Sequence, residues 1–139
     1  MTKLALLFLA GGVGTLARYG VNQWTRKLSG DTLFETIYIW TIIVNVIGCF
    51  LIGLLSPILT RAMCVPEAWR VAILVGLLGG FTTFSTFGLD LFELIRDKHW
   101  FRLTAYFTLS CGLGLGAVWL GYTIGDRVVP APPPAAAGA

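Results

Sequence analysis

The chain has 139 residues, of which 56% are hydrophobic and only 12% are charged, and its mean hydropathy is +0.80. Soluble domains carry about 25% charged residues, and a soluble core of this composition would leave large apolar faces exposed to water. The formal net charge of +3 is small and comes mainly from segment ends, which argues against a nucleic-acid surface and favours a single membrane domain.

Four charge-poor segments are candidates for membrane-spanning helices, since about 20 apolar residues cross the hydrocarbon core. Charge-free runs predict three of them at residues 36–60, 71–89 and 103–125. The first candidate is weaker, because residues 4–17 are only 14 residues before Arg18 interrupts. It extends to about Trp24 if Arg18 snorkels or faces a wet cavity. A secretory signal peptide is the alternative, although Gly11, Gly12 and Gly14 favour a packed helix face.

The connections between these spans are short, at residues 27–35, 61–70 and 96–102, and leave no room for a soluble catalytic domain. Residues 1–128 are therefore predicted to form one four-helix membrane domain. Residues 129–139 are rich in Pro and Ala and are expected to be disordered.

The basic residues divide almost evenly between the two sides of the membrane. Four of the ten lie on the side of the N-terminus: Lys3, Arg61, Arg70 and Arg127. The other six are Arg18, Arg26, Lys27, Arg96, Lys98 and Arg102. This bias is too weak to fix one orientation, so the chain is a candidate for insertion both ways up and for an antiparallel dimer.

Small residues recur four positions apart in the third and fourth spans, as Gly76 with Gly80, Gly112 with Gly116, and Gly121 with Gly125. Such pairs predict close helix packing in lipid. The alternative is that glycine is simply frequent in membrane helices.

The third span contains the most informative motif, residues 79–87, which read GGFTTFSTF. Adjacent glycines weaken a helix, and a break at this depth is tolerated only where it is buried in protein or lines a polar path. We therefore predict that the third helix is broken near Gly79–Thr83. Phe81, Phe84 and Phe87 recur every three residues along one helix stripe.

The chemistry of this motif suits a small anion. A phenyl ring has a positive edge and hydroxyl groups donate hydrogen bonds, so together they can replace part of an anion's water shell without a fixed cation. Packing rings, and hydroxyls that bond back to the preceding turn, are the alternative interpretation.

Polar residues elsewhere in the spans allow two interpretations each. Asn45 is either a structural interhelical hydrogen bond or a pore-lining donor. Tyr106 and Ser110, four apart on one face of the last span, form a polar track or are ordinary back-bonded residues. Arg18 either draws anions into a vestibule or is an interfacial anchor.

Other chemistry is not indicated. The cysteines Cys49, Cys64 and Cys111 lack metal-ligand spacing and are interpreted as inert thiols, and His99 is a single loop residue. No catalytic motif is recognised, so the chain is not expected to be an enzyme. Asp90 and Glu93 are placed toward the end of the third span, so no carboxylate is expected deep in the membrane, which argues against proton-driven transport.

The motif at residues 79–87 resembles the signature of the Fluc (CrcB) fluoride channels. Thr41, residues 45–48 and residues 11–14 ahead of Arg18 add to the resemblance, which covers roughly residues 3–127. It implies an all-α membrane protein of four transmembrane helices that forms an antiparallel, dual-topology homodimer. It also implies a fluoride-selective channel in the lipid of the cell inner (plasma) membrane, which passively exports fluoride from the cytoplasm.

The resemblance also assigns expected roles by motif position. The fluoride pore is expected to include Asn45, Phe84, Phe87, Ser85, Thr86, Thr41, Tyr106 and Ser110. Arg18 resembles the family's first-helix arginine at the vestibule. The backbone carbonyls of Gly79 and Thr82, two from each subunit, are expected to hold a structural sodium ion at the dimer interface.

Three positions depart from the family pattern: Trp40 in place of a frequent glycine, Asp90 in place of a frequent glutamate, and Gly114 in place of a polar-track serine. The competing functions are a small proton-coupled multidrug exporter, which needs a carboxylate in the first helix that residues 4–17 lack, and a structural membrane subunit without transport activity.

Overall fold

The computed structural model describes residues 2–29, 33–61 and 65–129, and the regular elements in these ranges are all helical. Cys64 and the tail residues 130–139 lie outside the described residues. Helix α1 is Thr2–Ser29 and α2 is Leu33–Arg61; the last helix, α6, is Trp100–Val128.

The third transmembrane segment is built in several pieces. A short α3 (Glu67–Val71) leads into a π-helical segment (Ala72–Leu77), which is followed by α4 (Leu78–Phe81) and, after a gap, by α5 (Phe84–Arg96). The predicted break is confirmed, and it lies at Thr82 and Thr83, both in extended conformation. The two glycines before it remain helical.

Four segments are long and apolar enough to cross a membrane, in agreement with the sequence prediction: Thr2–Trp24, Tyr38–Arg61, Glu67–Arg96 and Trp100–Val128. The helices extend beyond the charge-free runs, because charged residues at the ends of a span are compatible with helix and reach the interface. The first segment, which Arg18 made the weakest of the four predictions, is among them by length and composition.

Glycines set the distance between α1 and the third segment, which pack along each other. A Cβ added to Gly14 would collide with the backbone carbonyl of Leu77, and one added to Gly80 would lie 2.5 Å from the carbonyl oxygen of Gly11. Gly80 is therefore a spacer that admits α1, and the helix breaks two residues later for a different reason.

A second close approach joins α2 to α6. A Cβ added to Gly53 would collide with the backbone of Val118, and one added to Gly121 or Gly125 would collide with the carbonyls of Phe50 or Leu54. Close packing is thus confirmed for Gly121 and Gly125. For Gly112 and Gly116 the prediction is wrong within this chain, since no atom lies within 4 Å of an added Cβ.

The small core leaves most apolar side chains facing outward. Phe87, Leu94 and Tyr106 form a buried cluster, whereas the most apolar windows of the four spans are only 6% to 28% buried. The ion pairs Lys3–Glu67 and Arg61–Asp126 lie at one end of the bundle, where the N-terminus, the second connection and the C-terminal end of α6 meet. This is the arrangement that four successive crossings require.

Candidate functional site

The break is held open by one side chain of α2. The Thr83 amide donates to Asn45 Oδ1 over 2.9 Å, and Asn45 Nδ2 donates to the Thr83 carbonyl over 3.1 Å. Asn45 thus pairs with the backbone of Thr83 much as a neighbouring strand would. The side chain gives the Thr83 amide an acceptor in place of the one that the interrupted helix removes, and it gives the Thr83 carbonyl a further donor.

The start of α5 carries a cluster of hydroxyl groups. Thr83 caps the helix, because its Oγ1 accepts from the Thr86 amide at 3.2 Å. The same oxygen lies 2.9 Å from Thr86 Oγ1 and 3.3 Å from Ser85 Oγ. This cluster stands at the positive end of the α5 dipole, where an anion is favoured.

A cavity of about 350 Å³ lies beside this helix start. Three helices line it, through Thr15, Arg18, Tyr19, Asn22, Trp40, Thr41, Val44, Thr83, Ser85 and Thr86. The polar groups of the lining residues are hydroxyls, one amide, one guanidinium and the indole N–H of Trp40, and none of these residues is a carboxylate. The cavity therefore has the chemistry of an anion vestibule, and the structure places Arg18, Thr41, Ser85 and Thr86 in it.

Arg18 also contacts the break itself. Its Nη1 donates to the Thr82 carbonyl over 3.4 Å. On the opposite side the Thr82 side chain packs onto Gly48, where a Cβ would collide with its methyl group. Thr82 is thus fixed between α1 and α2.

The predicted aromatic residues differ in their surroundings. Phe87 is 8% exposed and packs against Tyr106, with 5.3 Å between ring centroids. Phe84 lies 6.0 Å from Phe87 by ring centroids but is 84% exposed. Within one chain, therefore, only one of the two rings is surrounded by protein.

A carboxylate near the end of the third segment is buried in protein. Asp90 is 3% exposed, and its Oδ2 accepts from Tyr106 Oη at 2.7 Å and from Thr41 Oγ1 at 3.0 Å. Asp90 lies toward the end of the third span, as the sequence predicts, but its burial by partners from α2 and α6 was not predicted.

The remaining residues complete the arrangement. The Ser110 hydroxyl, predicted on the polar track with Tyr106, is buried and finds no hydrogen-bond partner in the described part of the chain. Trp40 and Asn22 line the cavity without having been predicted to do so, since neither residue type signals a vestibule in sequence. Asp90 had a signal, its proximity to the motif, but its burial depends on two distant helices.

A further feature of the break concerns cations. In a continuous helix the Thr83 amide would bond the Gly79 carbonyl, but here it bonds Asn45. The Gly79 carbonyl therefore loses its usual partner, and the Thr82 carbonyl projects from extended backbone. Two such oxygens suit a hard cation such as sodium, so the predicted ligands fit the ion.

Comparison with known proteins gives consistent matches over nearly the whole chain. The family model described as CrcB-like protein, Camphor Resistance (CrcB), matches residues 5–122. A protein of Acidobacterium capsulatum named fluoride-specific ion channel FluC is 41% identical over 127 residues, which cover 91% of this chain and 98% of the relative. Proteins of the same name from Coxiella burnetii and Rhizobium etli are 40% and 36% identical, over 91% and 89% of this chain and 99% and 96% of their own lengths.

Proposed function

The chain belongs to the CrcB-like family, and from this membership we propose that it is a fluoride-selective channel that passively exports fluoride from the cytoplasm across the plasma membrane. Hydrogen fluoride crosses membranes as a neutral molecule and dissociates inside, so a path for the trapped anion lowers its concentration. The structural observation that carries the proposal is the donor-rich cavity at the broken third helix. As a channel, the protein acts without a chemical reaction.

The cavity offers an anion several donors and little opposing charge. Arg18 supplies a positive charge, and the hydroxyls of Ser85 and Thr86 stand at the positive end of α5. Fluoride is small and strongly hydrated, so a path selective for it must replace water by closely spaced donors.

Beyond the cavity, we place the pore along Phe84, Phe87, Tyr106 and Ser110. The ring edges of the two phenylalanines face the anion with positive partial charge, and Ser110 has a hydroxyl without a partner in the described residues. Asp90 occupies the donors of Thr41 and Tyr106, so a passing anion must compete with the carboxylate for them.

Efflux from liposomes that contain only the purified protein tests the proposal. Fluoride should leave far faster than chloride, and at a rate independent of an imposed pH gradient, since the path is passive. No fluoride efflux, or equal chloride efflux, would refute the channel. Efflux that ceases without a pH gradient would instead indicate proton coupling through Asp90.

Phe84→Ile and Phe87→Ile test the pore rings, because isoleucine keeps apolar bulk but lacks the positive ring edge. Both variants should lose most fluoride efflux. Phe87→Ile should also lower the free energy of unfolding, by about 1 kcal/mol for a reshaped core contact, whereas Phe84 is 84% exposed within its own chain. Unchanged flux in both would return these rings to a packing role.

We further propose that two chains of opposite orientation form the working unit, with sodium held between them by the carbonyls of Gly79 and Thr82. The nearly balanced basic residues and the exposed Phe84 ring support this arrangement. Bound sodium would supply one positive charge to the partly negative carbonyl oxygens at the break of the third segment in each of the two chains. This site needs no carboxylate among its ligands.

Engineered loop charges that force one orientation should abolish efflux, and co-expression of two oppositely biased versions should restore it. Gly79→Leu adds a sharper test, since no atom of the same chain lies within 4 Å of an added Cβ there. The variant should therefore fold but fail to dimerise in cross-linking and size-exclusion experiments, whereas Gly12→Leu, equally open within the chain, serves as control. Full activity from a single forced orientation would rule out the antiparallel dimer.

A further inference from the structure

Arg18 stands between two sites that the proposed function treats separately. Its side chain lines the cavity, and its Nη1 donates to the Thr82 carbonyl. The separation of 3.4 Å is longer than the roughly 2.7–3.2 Å usual for N–H···O hydrogen bonds. The contact is therefore weak enough to be exchanged for another partner.

The Thr82 carbonyl is also one of the two oxygens proposed for sodium. A carbonyl has two lone pairs, so geometry alone would let a guanidinium and a sodium ion share it. Charge opposes that sharing, because two cations on one oxygen lie only a few ångströms apart in a partly buried site, where repulsion is weakly screened.

We propose that Arg18 and sodium are alternative partners of the Thr82 carbonyl, and that sodium binding releases the guanidinium to hold the anion in the cavity. This inference rests on the proposed function and its sodium site. Without sodium, Arg18 satisfies the carbonyl at the end of the broken helix. With sodium, the guanidinium moves toward Ser85 and Thr86 in the cavity, where it and their hydroxyls donate to the same anion.

The proposal makes sodium and fluoride binding mutually dependent. If sodium frees Arg18 for the anion, then an anion that holds Arg18 must in turn strengthen sodium binding by the same factor. Arg18 is thus a positioning residue that links the cation at the break to the anion in the vestibule.

The apparent affinity for sodium tests the competition. It is measured as the rise in Tm when the detergent-purified protein is titrated with NaCl, with N-methylglucamine chloride replacing NaCl at constant ionic strength. Arg18→Met should bind sodium at least about fivefold more tightly than the wild type, the lower end of typical coupling between sites. Arg18→Lys keeps the charge and should stay near the wild type. Arg127→Met removes an exposed positive charge on α6 and serves as control.

Arg18→Gln gives a second neutral variant if Arg18→Met does not fold, and it should shift the affinity in the same direction. Replacing part of the chloride by fluoride at constant ionic strength should tighten sodium binding in the wild type, and most of this effect should vanish in both neutral variants.

Equal sodium affinity in wild type and neutral variants would overturn the inference, as would a wild type that sodium does not stabilise. Both results are independent of transport. A wild type that conducts fluoride but shows no dependence on Arg18 refutes only the competition, whereas absent fluoride efflux refutes the proposed function.

Discussion

The break at Thr82–Thr83 and the seam between α2 and α6 both bring backbone close to a neighbouring helix, but by opposite means. At the seam, which Gly53, Gly121 and Gly125 form, the approach depends on missing side chains. At the break it depends on a side chain that is present, since Asn45 bonds both the amide and the carbonyl of Thr83.

The seam sets the spacing of the helices, whereas the break sets the position of a few hydrogen-bond donors. The seam fixes how far apart two long helices lie, so a bulky residue there forces backbone to move. The break fixes where a few donors point, so losing its contacts displaces the start of α5 and leaves the other helices in place. Variants at the seam should therefore unfold the chain, and variants at the break should first impair transport.

The largest effect is expected for Gly121→Val. The added side chain meets the Phe50 carbonyl and the Leu54 amide, which are backbone atoms that no rotamer change can move. Overpacking of this kind costs about 1–3 kcal/mol or more, so the variant should lose its monodisperse size-exclusion peak. Gly112→Val, on the same helix with no atom within 4 Å, should elute normally. If the two variants elute alike, close packing at Gly121 does not decide whether the chain folds.

Asn45→Ala is expected to come next. It leaves the Thr83 amide without its acceptor, and an unsatisfied buried group costs about 1–3 kcal/mol. Helix content by circular dichroism should be retained, while Tm falls and fluoride efflux is lost. Thr104→Ala removes an exposed hydroxyl that bonds the Trp100 carbonyl of its own helix, α6, and should change neither. Normal efflux in Asn45→Ala would show that the break holds its shape without this clamp.

Thr41→Val asks whether a polar contact away from the break behaves in the same way. Valine keeps the shape but removes one of the two donors to Asp90 while Tyr106 remains. A loss of about 1 kcal/mol in the free energy of unfolding is expected, read as a modest fall in Tm. Thr108→Val, exposed on α6, is the matched control. A fall as large as that in Asn45→Ala would place Asp90 within the same cooperative unit as the break.

The smallest effect is expected for Gly114→Ala, which adds a methyl group on α6 where it faces α2. The nearest atom would be Cys49 Sγ at 3.5 Å, an ordinary contact. Alanine also favours helix over glycine by about 1 kcal/mol, so Tm should stay the same or rise slightly. A clear fall in Tm would mean that the close approach of α6 to α2 extends from the seam to Gly114.

The sequence predicted what local patterns encode and missed what distant residues decide. Charge-free runs identified three of the four spans, and a shorter run extended past Arg18 identified the first, because hydrocarbon thickness acts on each segment by itself. The motif at residues 79–87 located the broken helix, and its glycines were predicted to cause the break. In the structure Gly80 instead allows α1 to pack closely, and Asn45 holds the break open.

The burial of Asp90 could not be predicted from the sequence for the same physical reason. Its donors come from Thr41, 49 residues earlier, and Tyr106, 16 residues later, so no local pattern reveals that the carboxylate is buried. The sequence likewise left two roles open for Asn45, and the structure shows its bonds to Thr83. The expected roles of the pore residues remain predictions for the transport experiments.

The two ion pairs at one end of the bundle bear on how the chain is made. Under the proposed dimer, half of the copies present Lys3–Glu67 and Arg61–Asp126 to the cytoplasm and half to the outside. These pairs are substantially exposed, with side-chain exposures from 31% to 65%, and such pairs contribute only about 0–1 kcal/mol. Neither the salt nor the pH of a compartment therefore favours one orientation strongly. A newly made chain can be committed at random by the insertion machinery and still mature to the same fold.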